Sequence, residues 1–194
     1  MADHLETERK YEADPSFVLP SFAGLPGVAR VDDARTYLLS ATYFDTPDLR
    51  LLADRMTLRR RTGGPDEGWH LKLPAGKDTR KELQEPLGSA STGQIPARLA
   101  AEIGELPVGP VALLETERTV RHLFDDAGRE LAEVADDLVT GRKLAHADAE
   151  PVRWREIEIE TAEEDLLDAC GQLLTAAGAR PGASPSKVAR VLRS

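Results

Sequence analysis

Charged and apolar residues alternate along many short segments of this chain. In 151–161, Glu156, Glu158 and Glu160 fall on every second position, with isoleucines between them. A β-strand directs successive side chains to opposite faces, so this period of two predicts a strand with one charged and one apolar face. By the same criteria, further strands are predicted over 4–12, 35–44, 55–62, 68–74, 79–87, 111–124 and 129–139.

Other segments have the period of a helix. An amphipathic helix is predicted over 161–177, and a second over 91–106 with Thr92 as its N-terminal cap. Shorter helices or turns are predicted at 15–30, 49–54 and 184–193. Because most of the predicted strands are joined by hairpin connections, the order of elements favours an α+β, mainly β fold, an antiparallel barrel with appended helices.

The same charged face recurs on several predicted strands. Arg59 and Arg61 share one face, and so do Glu133 and Asp137. For a single strand, the ordinary interpretation is a solvated face or a set of cross-strand ion pairs. Taken together, however, the like charges need counter-charge. Carboxylate clusters attract divalent cations, and clusters of Arg or Lys bind oxyanions. If both clusters line the inner wall of one barrel, they predict a metal–polyphosphate site. The apolar faces of the strands would then point outwards and be covered by helices.

The composition and charge of the chain limit the classes of protein to which it can belong. The chain has 194 residues, 41% hydrophobic and 30% charged, which suits one soluble domain over 1–194. The acidic start and the absence of a long apolar run predict a cytoplasmic protein without a membrane partner. The net charge of −9 argues against nucleic-acid binding, but a basic block over 55–81 favours a small anion. The one cysteine, Cys170, is predicted to be buried on an apolar helix face.

The order of these motifs resembles the CYTH superfamily, the triphosphate tunnel metalloenzymes. ETERK at 6–10 resembles the family's ExExK signature, and TYFDTPDLRLL followed by TLRRR resembles its second and third strands. GWHLKLP, TRKEL, TERTVR, AEVADD, EIEIE and SPSKVARVL resemble later segments in the same order. The resemblance covers nearly the whole chain and implies an eight-stranded antiparallel closed β-barrel with flanking helices. Such a barrel would bind a triphosphate with one or two Mg²⁺ or Mn²⁺ ions.

The resemblance also implies roles for individual residues. The metal ligands would be Glu6, Glu8, Glu158 and Glu160, with Glu156 as a third candidate on the last strand. Glu133 and Asp137 would hold a second metal or orient the attacking water, and Lys10 would assist catalysis. Phosphate oxygens would be bound by Lys10, Arg59, Arg61, Lys72, Arg80, Arg118 and Lys187. Arg60 and Lys81 have the opposite strand parity and are predicted to lie outside.

The implied reaction is hydrolysis of the terminal phosphoanhydride of a triphosphate, which depends mainly on positioning and charge stabilisation. Inorganic tripolyphosphate is the first choice of substrate, since no nucleobase-reading element is evident. Two alternatives stay open. The chain could act as a class IV adenylate cyclase or a thiamine triphosphatase, or it could be a non-catalytic polyphosphate-binding module cut from a longer protein that carries a CHAD domain. A monomer or a homodimer is expected.

Overall fold

Eight strands among the described residues close into an antiparallel barrel. The computed structural model describes residues 3–76, 79–89, 93–145 and 150–194, and for 3–6 and 89 the backbone alone. The barrel strands are β1 (Asp3–Ala13), β3 (Arg35–Asp45), β4 (Thr57–Thr62), β5 (Gly68–Pro74), β6 (Thr79–Glu85), β7 (Gly109–Phe124), β8 (Glu130–Lys143) and β9 (Val152–Glu160). Their order is β1-β6-β5-β4-β3-β7-β8-β9, and β9 pairs again with β1. The predicted closed barrel is confirmed.

Two short strands extend this sheet. β2 (Arg30–Val31) pairs with β7, and β10 (Arg180–Pro181) pairs with β1. The sequence did not predict them, because two residues cannot display an alternating pattern. Between β1 and β3, where a short helix or turn was expected, the chain forms turns without a helix.

The outer faces of the barrel carry its apolar cores, as the alternating pattern predicted. The helix α3 (Glu164–Ala176) covers β1, β8 and β9, where Leu167 and Cys170 pack against Tyr11, Ile157 and Ile159. Cys170 is fully buried there, and burial raises the pKa of its thiol to about 11. Cys170 is therefore a packing residue, in agreement with the prediction for it.

A second outer core lies under α1 (Arg50–Ala53), a 3₁₀ turn (Leu87–Ser89) and α2 (Gln94–Ile103). Ile95 and Ile103 of α2 belong to the same buried cluster as Leu58 and Leu71 of β4 and β5. The first turn of α2 is capped from the sheet, since the backbone N–H groups of Gln94 and Ile95 donate to the Glu85 carboxylate. The predicted cap, Thr92, lies outside the described residues.

The last helix, α4 (Lys187–Arg193), packs at one end of the barrel interior, unlike the helices on the outside. Val188 and Val191 share a buried cluster with Ala41, Leu114 and Val139, which have inward strand parity. Gly141 lets the helix approach, because a Cβ there would lie 2.2 Å from a methyl carbon of Val191. The α4 helix therefore closes one end of the barrel and directs its first residue, Lys187, into the interior.

In the part of the chain that is described, no helix has both the length and the apolar character needed to cross a membrane.

Candidate functional site

Two charged walls face each other across the barrel interior. We call Arg59, Arg61, Lys72 and Arg80 the cationic wall, because β4, β5 and β6 are neighbours in the sheet. The acidic wall consists of Glu8, Glu133, Glu158 and Glu160 on β1, β8 and β9, which are also neighbours. All eight side chains line one cavity of about 150 Å³, which we call the lumen, together with Lys10, Arg118 and Lys187. The strand order thus places most of the cations on β4–β6 and most of the carboxylates on β1, β8 and β9, while Glu82 of β6 and Lys10 of β1 lie among side chains of opposite charge.

The cationic wall contains buried hydrogen-bond donors that have no acceptor in the described part of the protein. Among the described residues, the buried Nε atoms of Arg59 and Arg61 have no hydrogen-bond acceptor. Arg61 is ion-paired with Asp66 from the β4–β5 turn. Burial, together with repulsion by Arg59 and Arg118, nevertheless lowers the pKa of Arg61 to about 9. Because buried N–H groups normally have partners, this wall fits an anion that accepts hydrogen bonds from inside the lumen.

A buried histidine supports the cationic wall from the side. His70 Nε2 lies 2.9 Å from the backbone oxygen of Asp66, which can only accept a hydrogen bond, so Nε2 carries a proton. His70 Nδ1 lies 2.7 Å from Glu82 Oε1. Burial and the nearby Arg59 and Arg61 lower the pKa of His70 to about 4, although the bond to Glu82 opposes this shift. His70 therefore links Glu82 of β6 to the turn between β4 and β5 that carries Asp66.

The acidic wall is only partly neutralised. Lys10 Nζ lies 2.9 Å from Glu158 and 3.3 Å from Glu8. Burial alone would lower the pKa of Lys10, but Glu158 and Glu8 raise it, so the ammonium stays charged. In contrast, burial and repulsion by Glu133, Glu8 and Glu158 raise the pKa of Glu160 to about 7, with Lys72 opposing. Burial and the neighbouring carboxylates therefore disfavour the charged form of Glu160.

Two further carboxylates, those of Asp137 and Glu156, lie close to Glu158 beside the lumen. Oxygen atoms of Asp137, Glu156 and Glu158 lie within 4.8 Å of one another, close enough to share a metal ion. In the structure, Lys187 Nζ contacts all three, at 3.0, 2.6 and 2.8 Å respectively. These contacts outweigh burial and raise the pKa of Lys187 well above its usual value. A metal ion at this cluster and the Lys187 ammonium would therefore compete for the same oxygen atoms.

Glu133 and Asp137 have different surroundings although both point inward from β8. Arg118 donates to both oxygens of Asp137, at 2.8 and 2.7 Å, and Asp137 is fully buried. Glu133 lines the lumen near His122, whose Nε2 lies 3.5 Å from its carboxylate. The other ring nitrogen of His122 lies 3.1 Å from Asp32. Four residues along a strand span about 13 Å, so the two β8 carboxylates act at different points.

The donor chemistry of the acidic wall fits a hard divalent cation. Glu8 and Glu160 are directly opposite each other on β1 and β9, and Glu158 is opposite Lys10. Carboxylate oxygens are the ligands that Mg²⁺ and Mn²⁺ prefer. A cation beside Glu160 would also offset the burial and the repulsion that together raise the pKa of its carboxyl group. The residues present therefore suit the metal that the sequence predicted, and their roles as ligands stay a prediction.

Most of the residues that the sequence singled out come together. The lumen is lined by Glu8, Lys10, Arg59, Arg61, Lys72, Arg80, Arg118, Glu133, Glu158, Glu160 and Lys187. Asp137 and Glu156 lie just beneath it, bound to Lys187. The backbone of Glu6 is opposite Arg80, and its side chain lies outside the described part. Arg60 and Lys81 are exposed, in agreement with their strand parity.

Sequence reasoning missed several residues of the site. Tyr43 and Asp66 line the lumen, and Tyr43 accepts a hydrogen bond from Arg59 at 3.4 Å. His122 lies four residues after Arg118 on β7, so its side chain is on the same face of the strand, and its inward direction could have been predicted from the sequence. Asp66 belongs to a turn, where no periodic signal specifies the direction of a side chain.

Comparison with known proteins supports this assignment of the fold. The family model of the CYTH domain matches residues 4–192. Two uncharacterized proteins of Mycobacterium tuberculosis, from strains CDC 1551 / Oshkosh and ATCC 25618 / H37Rv, are each 45% identical over 209 residues. The match covers 98% of this chain, and the chain spans only 40% of the length of these relatives.

Two solved structures have similar folds. A putative adenylate cyclase from Bacillus halodurans superposes with a TM-score of 0.66 at 17% sequence identity, and 98% of each chain is covered. A putative adenylyl cyclase from Hippeastrum, described as having a dominant triphosphatase activity, gives a TM-score of 0.60 at 18% identity. That match covers 97% of this chain and 95% of the other. At these identities, the likeness concerns the fold alone.

Proposed function

This chain belongs to the CYTH domain family, and from that premise we propose that it is a metal-dependent triphosphatase. Its preferred substrate is inorganic tripolyphosphate or a related linear polyphosphate. The observation that carries the proposal is the arrangement of a cationic wall opposite an acidic wall in one closed lumen. A metal–triphosphate complex carries both a cation and an anion, and these two walls are complementary to it.

The cationic wall would bind the phosphate oxygens. Arg59 and Arg61 each have a buried Nε with no acceptor among the described residues, so a phosphate gains bonds there without displacing an existing partner. Lys72, Arg80 and Arg118 line the same lumen. Charge-assisted hydrogen bonds of this kind both position the phosphate chain and stabilise charge that develops on the leaving group.

Glu8, Glu158 and Glu160 of the acidic wall would hold the metal together with Glu6, and Glu156 would be a further ligand. When bound there, Mg²⁺ or Mn²⁺ supplies positive charge that neutralises phosphate oxygens. The metal assignment is supported by the carboxylate donor set and by the raised pKa of Glu160.

Hydrolysis requires a water molecule aligned with the terminal phosphorus. Glu133 lines the lumen beside His122 and is suited to orient that water and accept its proton. The water oxygen bonds to the terminal phosphorus, and the bond from that phosphorus to the bridging oxygen breaks. Tripolyphosphate thereby gives orthophosphate and pyrophosphate. Asp137 acts indirectly, by fixing Arg118, and Lys10 neutralises Glu8 and Glu158 beside the reacting phosphates.

The test is a turnover assay with tripolyphosphate, ATP and thiamine triphosphate in Mg²⁺ or Mn²⁺, following both phosphate and cyclic AMP. We expect metal-dependent phosphate release that is fastest on tripolyphosphate. Arg59→Gln should lower kcat/KM by about 100-fold, because it removes a donor to the phosphate chain. Glu158→Gln should lower activity and weaken the response to metal.

Arg60→Gln is the matched control, since Arg60 is the next residue of β4 and is exposed on the outer face. It should retain wild-type activity within about twofold. Production of cyclic AMP and pyrophosphate from ATP would instead make the protein a cyclase. Tight binding of polyphosphate without turnover would make it a binding module. This alternative is compatible with the mycobacterial relatives, of whose length the chain spans 40%. Equal losses in Arg59→Gln and Arg60→Gln would contradict the assigned lumen site.

A further inference from the structure

Arg80 lies where three cavities meet. Besides the lumen, it lines a cavity of about 420 Å³ and another of about 300 Å³ outside the barrel. The larger of these shares Glu8 and Lys10 with the lumen, and the smaller shares Thr57 and Ser186 with it. The two outer cavities therefore adjoin the lumen and each other, and we call them together the outer groove.

The Arg80 side chain forms the boundary between the lumen and the outer groove. Its Nε lies 3.8 Å from Glu8, a residue of the acidic wall. Its Nη2 donates to the backbone oxygen of Pro185 at 2.5 Å, in the segment that precedes α4. An anion bound to this guanidinium from inside the lumen therefore has the outer groove as its next neighbour.

The residues that line the outer groove have a net positive charge, whereas the whole chain carries a net charge of −9. Arg55 and Arg80 line both of its cavities, and Arg193 lines the smaller one. The described carboxylates that line it are Glu8 and Asp48. Lys10 adds to the positive charge, while Arg9 is already bound to Asp168 of α3. The lumen has nearly balanced charge, so the excess of positive charge lies in the groove outside it.

Arg55 is held in an unusual backbone conformation. Its φ of 60° is left-handed, a region that favours glycine and disfavours a long side chain. The conformation is fixed by hydrogen bonds from Arg55 N to Leu52 O and from Met56 N to Leu51 O, at 3.1 and 2.8 Å. Backbone strain of this kind is concentrated at binding sites, and here it fixes the point from which the Arg55 side chain extends into the groove.

We propose that the outer groove is a second anion-binding site, which takes the phosphates beyond the third of a linear polyphosphate whose end occupies the lumen. This inference rests on the proposed function and specifies its substrate class. A chain of repeated negative charges matches cations on three separate elements, namely Arg55, Arg80 and Arg193. A nucleoside would continue with neutral groups after its phosphates. The aromatic residue that lines the groove, Tyr11, is only 6% exposed and packs against α3.

The test compares tripolyphosphate with a polyphosphate several times longer, using Arg55→Gly. Glycine adopts the left-handed conformation freely, so this variant removes the guanidinium and keeps the backbone conformation. Its KM for tripolyphosphate should stay within about twofold of the wild type, and its KM for the longer chain should rise about tenfold. Arg55→Lys, which keeps the charge, should restore most of the affinity. The control Arg98→Gln removes an exposed arginine from α2 and should change neither value.

Binding to both chains is also measured by calorimetry in metal-free buffer, so the groove is tested separately from turnover. If the wild type fails to hydrolyse tripolyphosphate but Arg55→Gly still selectively weakens binding of the longer chain, the proposed triphosphatase fails and the groove stands. If Arg55→Gly affects both chain lengths equally or affects neither, the groove is not a polyphosphate site. Failure of the longer chain to bind the wild type would overturn the inference as well.

Discussion

His70 illustrates how much a single residue can depend on partners that are distant in sequence. Its two ring nitrogens are engaged by Glu82 on β6 and by the backbone of Asp66 in a turn, and 1% of the residue is exposed. The neutral imidazole supports Glu82, which in turn lies 3.8 Å from Arg59 and 3.6 Å from Lys72. His70 therefore contributes to the shape of the cationic wall without belonging to it.

The lowered pKa of His70 predicts a pH dependence of stability. The unfolded chain binds a proton at His70 below its ordinary pKa of 6.5, whereas the folded chain does so only below about 4. Stability is thus fully present above pH 6.5 and is lost as the pH falls towards 4. Between pH 7 and pH 5 this residue should cost about 2 kcal/mol.

The measurement is urea unfolding of the wild type and His70→Gln at both pH values. Glutamine does not titrate, so the variant should lose less stability than the wild type between pH 7 and pH 5. Equal losses in the two proteins would show that His70 is protonated in the folded state.

Among the secondary structure elements, α1 and the loop around it depend on one buried carboxylate. Asp45 at the end of β3 accepts hydrogen bonds from the backbone of Thr46, Leu51 and Leu52, at 2.7, 2.8 and 3.0 Å. The loop leads directly to Arg55 and then to β4 with its two inward arginines. The Asp45 carboxylate thereby sets the position of the outer groove relative to the cationic wall.

Asp45→Ala should destabilise the protein by about 3 kcal/mol, because it leaves buried N–H groups without an acceptor. Asp45→Asn keeps one oxygen acceptor and should cost less. Both values are accessible from chemical denaturation. A loss below about 0.5 kcal/mol for the alanine variant, typical of a surface substitution, would contradict this account.

The α4 helix offers a second test at the level of elements. Gly141→Ala places a methyl group against Val191, so it should destabilise the protein by about 1–3 kcal/mol and displace the helix that carries Lys187. Adding Val191→Ala provides space for this methyl group, and the double variant should be more stable than the sum of the two single effects predicts. Strict additivity in denaturation experiments would mean that the two residues do not contact each other.

For the molecule as a whole, the two charged walls contain buried groups that a bound ligand would stabilise. Arg59 and Arg61 have buried N–H groups without acceptors among the described residues, and Glu160 has a raised pKa. A ligand that satisfies these groups binds the folded state and not the unfolded chain. Ligand binding must therefore raise thermal stability.

Mn²⁺ alone, and tripolyphosphate alone in a chelator, should each raise the melting temperature of the wild type. At a concentration about 100 times the dissociation constant, each should add about 2.7 kcal/mol to the free energy of unfolding. Glu158→Gln should lose the response to Mn²⁺ and keep that to tripolyphosphate, while Arg59→Gln should show the reverse. Differential scanning fluorimetry gives both shifts, and identical responses in the two variants would argue against separate cation and anion walls.

The sequence by itself determined the strands, their charged faces and the class of site. Alternation with a period of two is a local property, so the inward parity of Arg59, Arg118 and Asp137 could be predicted without a structure. The motif order implied the closed barrel. The outward placement of Arg60 and the buried position of Cys170 followed from the same local patterns.

Only the tertiary structure decided which charges meet. Lys187 joins Asp137, Glu156 and Glu158 because α4 enters the end of the barrel, and nothing in the pattern of that segment specifies this. The separation of the two walls follows from the order in which strands pair, and the outer groove follows from packing around Arg80. The face of a strand to which a side chain points follows from its position in the local sequence. Strand order and helix placement depend on contacts between segments that are distant in the sequence, so no single segment specifies them.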